Sequence, residues 1–368
     1  MVIETNSSRP DPPARPAGRA SPACDPLPER VRRLLPPGPK RECWERVHAR
    51  YPVRVTPYYL SLAEGDDPDD PIRRQCLPSG EELAGGRGET PDPLDEDSAS
   101  PVPGLVCRYP DRVLLRLTRR CAVHCRHCFR KSRWRRGAPD LSPEAVSGAL
   151  DLIASRPAIR EVLLSGGDPL LLGEDRLDDI LDRLFRIPHV EVVRVGSRLP
   201  VVDPARITPS LCRVLAANGP VWLVTHFNHA AEITEVSGAA CRSLLAAGIP
   251  VVNQSVLLRG VNDTPGCLRA LCTGLLRIRV KRYYLFHADP AAGAMHFRTG
   301  IDRALALFRS LRGRISGLAV PTLAADLPDG GGKVVLEPSW EAGTGPGGRR
   351  RYRAWDGRVI PYADGALL

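Results

Sequence analysis

Between residues 112 and 313 the chain alternates β-rich runs with amphipathic helical stretches six times over, and few architectures accommodate that order. The β-rich runs fall at 112–118, 161–165, 190–195, 221–225, 251–257 and 282–286, and the helical stretches at 142–156, 175–185, 208–217, 230–247, 264–278 and 300–313. Such alternation predicts parallel α/β structure with right-handed crossovers, as an open sheet or as a barrel. In the first helical stretch Val146, Ala149, Leu150 and Ile153 recur at helical spacing behind Ser142-Pro143-Glu144, a helix-start signal. With 43% hydrophobic and 26% charged residues, the 368-residue chain can bury a core, which excludes global disorder. No apolar run approaches the about 18–20 residues of a membrane helix. Residues Met1 to Thr5 lack the basic and apolar regions of a secretory signal, so a cytoplasmic protein with reduced cysteines is expected.

Composition shifts on both sides of the alternating region. Residues 1–40 hold ten prolines and are expected to be disordered. Residues 41–108 form a covering segment, with a short helix over 41–50 and an acidic, Gly/Pro-rich stretch at 64–103. The barrel is expected over 109–320, followed by a Gly-rich C-terminal segment, 321–368. Net charge is +10, from 52 Lys+Arg against 42 Asp+Glu. That excess fits a nucleic acid or small acidic ligands such as phosphates and carboxylates. Its arginine arrives with abundant Ala, Gly and Pro, the signature of a GC-rich genome, which weakens the nucleic-acid reading.

Directly after the first β-rich run stands Cys121-Ala122-Val123-His124-Cys125-Arg126-His127-Cys128. Three thiolates on one tight loop can hold three irons of a 4Fe–4S cluster and leave the fourth iron open. Zinc, with His124 or His127 as fourth ligand, is the alternative. The other eight cysteines are scattered and read as core or surface residues. Polar groups recur at the carboxyl ends of later runs: Ser165-Gly166-Gly167-Asp168, Gly196-Ser197-Arg198, Thr225-His226-Phe227-Asn228-His229, Asn253-Gln254-Ser255 and His287-Ala288-Asp289. In βα barrels chemistry gathers at that rim, so together these point to a ligand site.

The C-x3-C-x2-C spacing before a six-fold βα alternation resembles the radical S-adenosylmethionine (SAM) superfamily. Tyr109-Pro110-Asp111-Arg112, Leu164 to Asp168, Val195 to Arg198, Thr225 to His229, Asn253 to Asp263, His296-Phe297-Arg298-Thr299 and Gly330-Gly331-Gly332-Lys333 narrow it to the lysine 2,3-aminomutase family, over about 55–333. The resemblance implies a partial (β/α)6 radical SAM barrel with an N-terminal covering segment and a Gly-rich C-terminal tail that binds pyridoxal 5′-phosphate (PLP). It implies an isomerase with a 4Fe–4S cluster on Cys121, Cys125 and Cys128, SAM, PLP on Lys333, and an external electron donor of flavodoxin or ferredoxin type. Gly166, Gly167, Asp168, His226 and Gln254 match SAM-contacting positions, and Arg112 is a candidate for the PLP phosphate. Arg130 matches the arginine for the substrate carboxylate, though the basic run Arg126 to Arg136 could equally be a solvated face. Asp289 and Asp326 match two aspartates that grip the distal ammonium of lysine.

These matches imply conversion of L-lysine to β-lysine. Asp329 stands where the family pattern has glycine; an extra carboxylate keeps L-arginine to β-arginine, in antibiotic biosynthesis, as the alternative. The loop Asn262-Asp263-Thr264 and residues 341–368 lack the cysteines that carry an intersubunit zinc in some family members, so no structural zinc is expected and the homo-oligomer is left open. No nucleic-acid or membrane partner is expected. A radical SAM enzyme acting on RNA or protein, and a non-catalytic metal protein, are the more distant alternatives.

Overall fold

A computed structural model describes residues 28–35, 37–134, 140–328 and 330–362. Nine strands form one sheet in chain order: β1 (Leu105–Val106), β2 (Arg112–Thr118), β3 (Glu161–Gly166), β4 (Val192–Gly196), β5 (Val221–Thr225), β6 (Val251–Leu257), β7 (Lys281–His287), β8 (Thr322–Leu327) and β9 (Gly332–Val335). Strands β2 to β8 are parallel, and β1 and β9 run antiparallel to their neighbours. Among the described residues no pairing joins β1 to β9, so the sheet is a half-barrel that stays open.

Six of the seven parallel strands fall where the alternation predicts them. The seventh, β8, lies beyond residue 320, so the sheet continues past the expected boundary. Thr322–Leu327 holds two alanines and an aspartate, a composition with weak strand preference, and it becomes a strand by pairing with β7. The glycines at 330–332 are the turn into β9; Gly330 and Gly332 have φ of +73° and +74°. Strands β10 (Glu341–Thr344), β11 (Arg350–Arg353) and β12 (Val359–Tyr362) form a separate antiparallel sheet.

Helices Pro143–Ala154, Glu174–Phe185, Pro209–Ala217, Glu235–Ala246, Pro265–Arg277 and Ile301–Arg309 follow the strands. Three share one start: Ser142, Thr208 and Thr264 each accept a hydrogen bond from the backbone three residues on, with proline at the first helical position. Their apolar faces meet the alternate, buried side chains of the strands, among them Val113, Leu115, Leu117, Val162, Leu164, Val193 and Val195. This core aligns the carboxyl ends of the strands along one rim.

The N-terminal segment covers that rim with helices Pro39–Arg50, Pro57–Ser61 and Pro71–Cys76 and the turn Gly80–Leu83. Within the stretch 1–40, residues 1–27 and Pro36 lie outside the described residues; the described part includes a helical turn, Glu29–Arg32, whose Val31 is buried in the main core. Of the basic run Arg126 to Arg136, Arg135 and Arg136 lie outside the described residues; the described Arg126, Arg130, Lys131 and Arg133 are ion-paired instead of forming a solvated face. Arg126, Lys131 and Glu82 are fully buried and ion-paired. Arg126 also donates to Pro52 O and Tyr51 O, and Lys131 Nζ to Arg126 O (2.9 Å) and Gly293 O (2.7 Å). Burial opposes the Glu82 charge, but Arg126 and Lys131 outweigh it and hold its carboxyl below the ordinary range. Burial, then Arg126, lowers Lys131 to about 7. Arg133 pairs with Asp92 and Asp97. Glu82→Ala would leave two buried cations without their carboxylate, and should cost about 3–5 kcal/mol of unfolding free energy in urea titration. Glu81→Ala, at the exposed neighbouring position, should cost far less.

Candidate active site

The cysteine loop leaves the rim at the end of β2. Gly167 N donates to Thr118 O (2.6 Å) and Asp168 N to Arg120 O (2.7 Å), stitching the segment after β3 to the start of the loop. No side chain fits there. A Cβ on Gly166 would stand 2.3 Å from Thr118 O, and one on Gly167 would stand 2.1 Å from Arg120 O. The two glycines expected to approach a ligand thus also let two backbones touch. Asp168 is buried and accepts from Leu170 N (3.2 Å), Ser197 Oγ (3.0 Å) and Arg198 N (2.9 Å). Burial pushes its pKa up to about 6. The structure therefore gives this carboxylate a role in tying β3 to the end of β4.

Burial and then Cys128 push the Cys121 thiol up; burial and then Cys125 push Cys128 up to about 11. Cys125 Sγ accepts from Arg198 Nη1 at 2.7 Å. The same buried guanidinium donates to His226 O, Tyr59 OH, Gln75 Oε1 and Glu232 Oε1 at 2.7–3.1 Å. His226 lies beside Arg198, its Nε2 3.1 Å from Asn228 Oδ1, and burial and then Arg198 lower it to about 3, so the ring is neutral. Gln254 follows a register shift in β6 and is half-buried. Its neighbour Asn253 is spent on the fold, bonded to Phe227 N, Phe227 O and Ser255 Oγ.

Arg130 sits between the cysteine loop and β3. Its Nε and Nη2 grip Glu96 at 2.6–3.2 Å, and Nη1 donates to Ser165 Oγ (3.2 Å) and Gly166 O (3.1 Å). One guanidinium edge is thus already occupied. Glu96 is buried; burial opposes its charge, but Arg130 and Arg116 outweigh it and hold its carboxyl at about 2.

The far end of the rim is built by the hairpin. Asp326 on β8 pairs directly with Lys333 on β9. Lys333 Nζ lies 2.9 and 3.0 Å from the two Asp326 oxygens and 3.9 Å from the centre of the Phe286 ring. The Lys333 backbone N–H donates to Tyr109 OH (2.8 Å). Asp289, just after β7, is pushed up to about 7 by burial and then by Asp326, against Lys333, Arg298 and Arg108. Arg112 pairs with Asp111 (2.9 Å) and stacks 3.8 Å from the centre of the Tyr109 ring, partly exposed. Asp329 lies outside the described residues.

Two tests of fit follow from these positions. No three His, Cys, Asp or Glu side chains among the described residues are arranged around a single metal ion. His124, a candidate zinc ligand by sequence, is stacked on Trp134 with Nδ1 2.8 Å from Pro52 O. Cys128 and Cys125 both raise the Cys121 thiol and Cys125 raises Cys128, so the three sit together on one loop, and three such thiolates fit a 4Fe–4S cluster. Arg108 Nε and Nη2 are buried and lack a hydrogen-bond partner, and the Arg108 charge acts on Asp289. Two orphaned guanidinium N–H groups fit an anion such as a phosphate, whereas Arg112 already pairs with Asp111.

The sequence model of the Radical SAM superfamily matches residues 115–265, and that of Lysine-2,3-aminomutase matches residues 308–364. The L-lysine 2,3-aminomutase of Clostridium subterminale is 49% identical over 288 residues, 78% of this chain and 69% of that one. That of Acetoanaerobium sticklandii is 44% identical over 317 residues, 85% and 76% of the two chains. The glutamate 2,3-aminomutase of Clostridioides difficile is 39% identical over 325 residues, 88% and 76%. This chain belongs to the lysine 2,3-aminomutase family of radical SAM enzymes. It is an isomerase, an amino-acid 2,3-aminomutase, and the family's cofactors are a 4Fe–4S cluster, SAM and PLP. No helix among the described residues is long and apolar enough to cross a membrane.

Sequence reasoning did not single out Arg108, Glu82, Glu96, Tyr59 or Gln75, and it placed Arg198 only within a polar group. The acidic stretch 64–103 facing an arginine-rich loop was the available signal for the two glutamates. Asp289 yields a pH prediction. Below pH 7 it is largely protonated and cannot pair with a cation; above pH 7 it is a carboxylate. Affinity for a basic amino acid should therefore rise from pH 6 to pH 8, and Asp289→Asn should flatten the rise, as read from KM against pH.

Proposed function

We propose that the enzyme converts L-lysine to β-lysine, moving the α-amino group to the β-carbon. The observation that carries this is the Asp326–Lys333 pair: the far end of the site already holds a primary alkylammonium between a carboxylate and an aromatic ring. Asp289 stands beside it as the second carboxylate. A distal ammonium is favoured there, and the distal carboxylate of glutamate is repelled.

In this proposal Cys121, Cys125 and Cys128 hold the cluster, with Arg198 fixing the Cys125 thiol. Gly166, Gly167 and Asp168 shape the rim beside it, where His226 and Gln254 face SAM. Lys333 bonds PLP, and Arg108, with Arg112 nearby, neutralises its phosphate. Arg130 turns its remaining N–H toward the substrate carboxylate while Glu96 holds the guanidinium in place. When bound, the cluster and SAM supply the radical that removes a substrate hydrogen, and PLP carries the migrating nitrogen. The expected donor is a flavodoxin or ferredoxin.

After anaerobic reconstitution with iron, sulfide, PLP, SAM and reductant, lysine should give β-lysine more efficiently than arginine, ornithine or glutamate give β-amino acids. Faster turnover of arginine would transfer the proposal to the arginine 2,3-aminomutase reading, and turnover of glutamate would overturn the two-aspartate site. Asp326→Ala should lower kcat/KM for lysine at least tenfold, because truncating one partner of a buried charge pair costs about 2–5 kcal/mol.

Borohydride reduction of the PLP-loaded protein should place the pyridoxyl group on Lys333 in peptide mapping. A label on another lysine would refute that assignment. The variant with all three cysteines replaced by Ala should neither bind about four irons per chain nor cleave SAM.

A further inference from the structure

We infer that Asp326 serves two cations in turn: the Lys333 ammonium while that nitrogen is free, and the distal ammonium of the substrate once Lys333 is bonded to PLP. This rests on Asp326 as the distal-ammonium residue, as proposed above. Asp326 and Lys333 are direct cross-strand partners on β8 and β9, so the contact is built into the hairpin register. Both carboxylate oxygens are used, at 2.9 and 3.0 Å. The rings of Phe286 and Tyr284 lie 3.9 and 5.1 Å from the same Nζ and close the ammonium in.

The two cations are the same chemical group, a primary alkylammonium on a flexible stem. Each asks for the same carboxylate and the same ring face. The two would compete for Asp326. Asp289, the second carboxylate of the proposed site, also has Lys333, Arg298 and Arg108 as cationic neighbours, so the carboxylate pair already faces the Lys333 ammonium before a substrate arrives. Two ammonium groups on Asp326 would face each other in a half-buried site, where like charges repel more strongly than in water.

Loading PLP removes the competitor. The Lys333 ammonium gives up a proton, its amine condenses with the cofactor aldehyde, one C=N bond forms and one water leaves. The nitrogen then carries at most one N–H in place of three, and can no longer grip both Asp326 oxygens. PLP-free protein therefore excludes the substrate side chain, and loading opens the site. The same exchange operates when a substrate amine displaces Lys333 from the cofactor. Asp326 is by then occupied, so the freed lysine is held off its resting partner and stays available to return.

The probe is 6-aminohexanoate, which keeps the carboxylate and distal ammonium of lysine and lacks the 2-amino group. Its affinity is measured by calorimetry on cluster-reconstituted protein, with the PLP absorbance followed to check that Lys333 is not displaced. PLP-loaded wild type and PLP-free Lys333→Gln should bind it at least tenfold more tightly than PLP-free wild type. If Lys333→Gln binds no more tightly than the PLP-free wild type, whether both bind or neither does, Lys333 is not what blocks the site and the inference fails. If PLP-loaded Asp326→Asn binds the probe as well as PLP-loaded wild type, the fault lies earlier, in Asp326 as the distal-ammonium residue.

Discussion

The loop that carries the three cysteines has little secondary structure of its own, and buried charge holds it. Arg126, Arg130 and Lys131 lie within or just after the C-x3-C-x2-C segment and point inward, where each meets a glutamate from the N-terminal segment. Burying such charges is costly, and only close pairing with further hydrogen bonds offsets it. Glu82 answers two cations, and the backbone carbonyls of Tyr51, Pro52, Arg126 and Gly293 take up remaining donors. The cover over 41–108 is therefore a structural partner of the cysteine loop. Glu96 extends the same logic to Arg130 and so reaches the place where a substrate carboxylate is expected.

From that anchored loop the rim can be followed strand by strand. Backbone hydrogen bonds tie the Gly166-Gly167-Asp168 segment to the loop, and the Asp168 carboxylate ties it onward to Ser197 and Arg198. Arg198 then returns to Cys125 and binds Gln75 and Glu232. This closed circuit of buried polar groups connects the cysteine loop, β3, β4, β5 and the N-terminal cover. Each carboxylate in it has its donors, as a buried network requires. The unpartnered buried atoms Arg108 Nε and Nη2 stand outside this circuit.

Much of the site was legible because its chemistry is local in sequence. Cys121, Cys125 and Cys128 share one loop, and Gly166 to Asp168 follow one strand. Asp326 is a candidate only through the family resemblance, which matches it to one of two aspartates. Residues that act across long sequence separations were harder to read. Glu96 sits in a segment without periodicity, and nothing local distinguishes it from surface acids; Glu82 has a local signal that Glu81 lacks, the capping box Ser79-Gly80-Glu81-Glu82, but that pattern says nothing of its ion pairs. Arg112 belongs to the motif Tyr109-Pro110-Asp111-Arg112, while nothing in the sequence marks Arg108, four residues earlier; only the fold shows that Arg112 pairs with Asp111 and that Arg108 Nε and Nη2 are buried without a partner.

By itself the sequence determined the order of strands and helices, the thiol loop at the end of the first parallel strand, and the lysine after the glycines. The first two follow from periodicity and spacing within a few residues; Lys333 becomes a site candidate only through the family resemblance. The tertiary structure decided that Thr322–Leu327 joins the sheet, because a segment of weak strand preference takes its conformation from the neighbour it pairs with. It decided that Arg126, Arg130 and Lys131 face inward, because only the fold supplies Glu82 and Glu96 as partners. It also set Lys333 against Asp326, since cross-strand register is a property of two paired segments and of the turn between them.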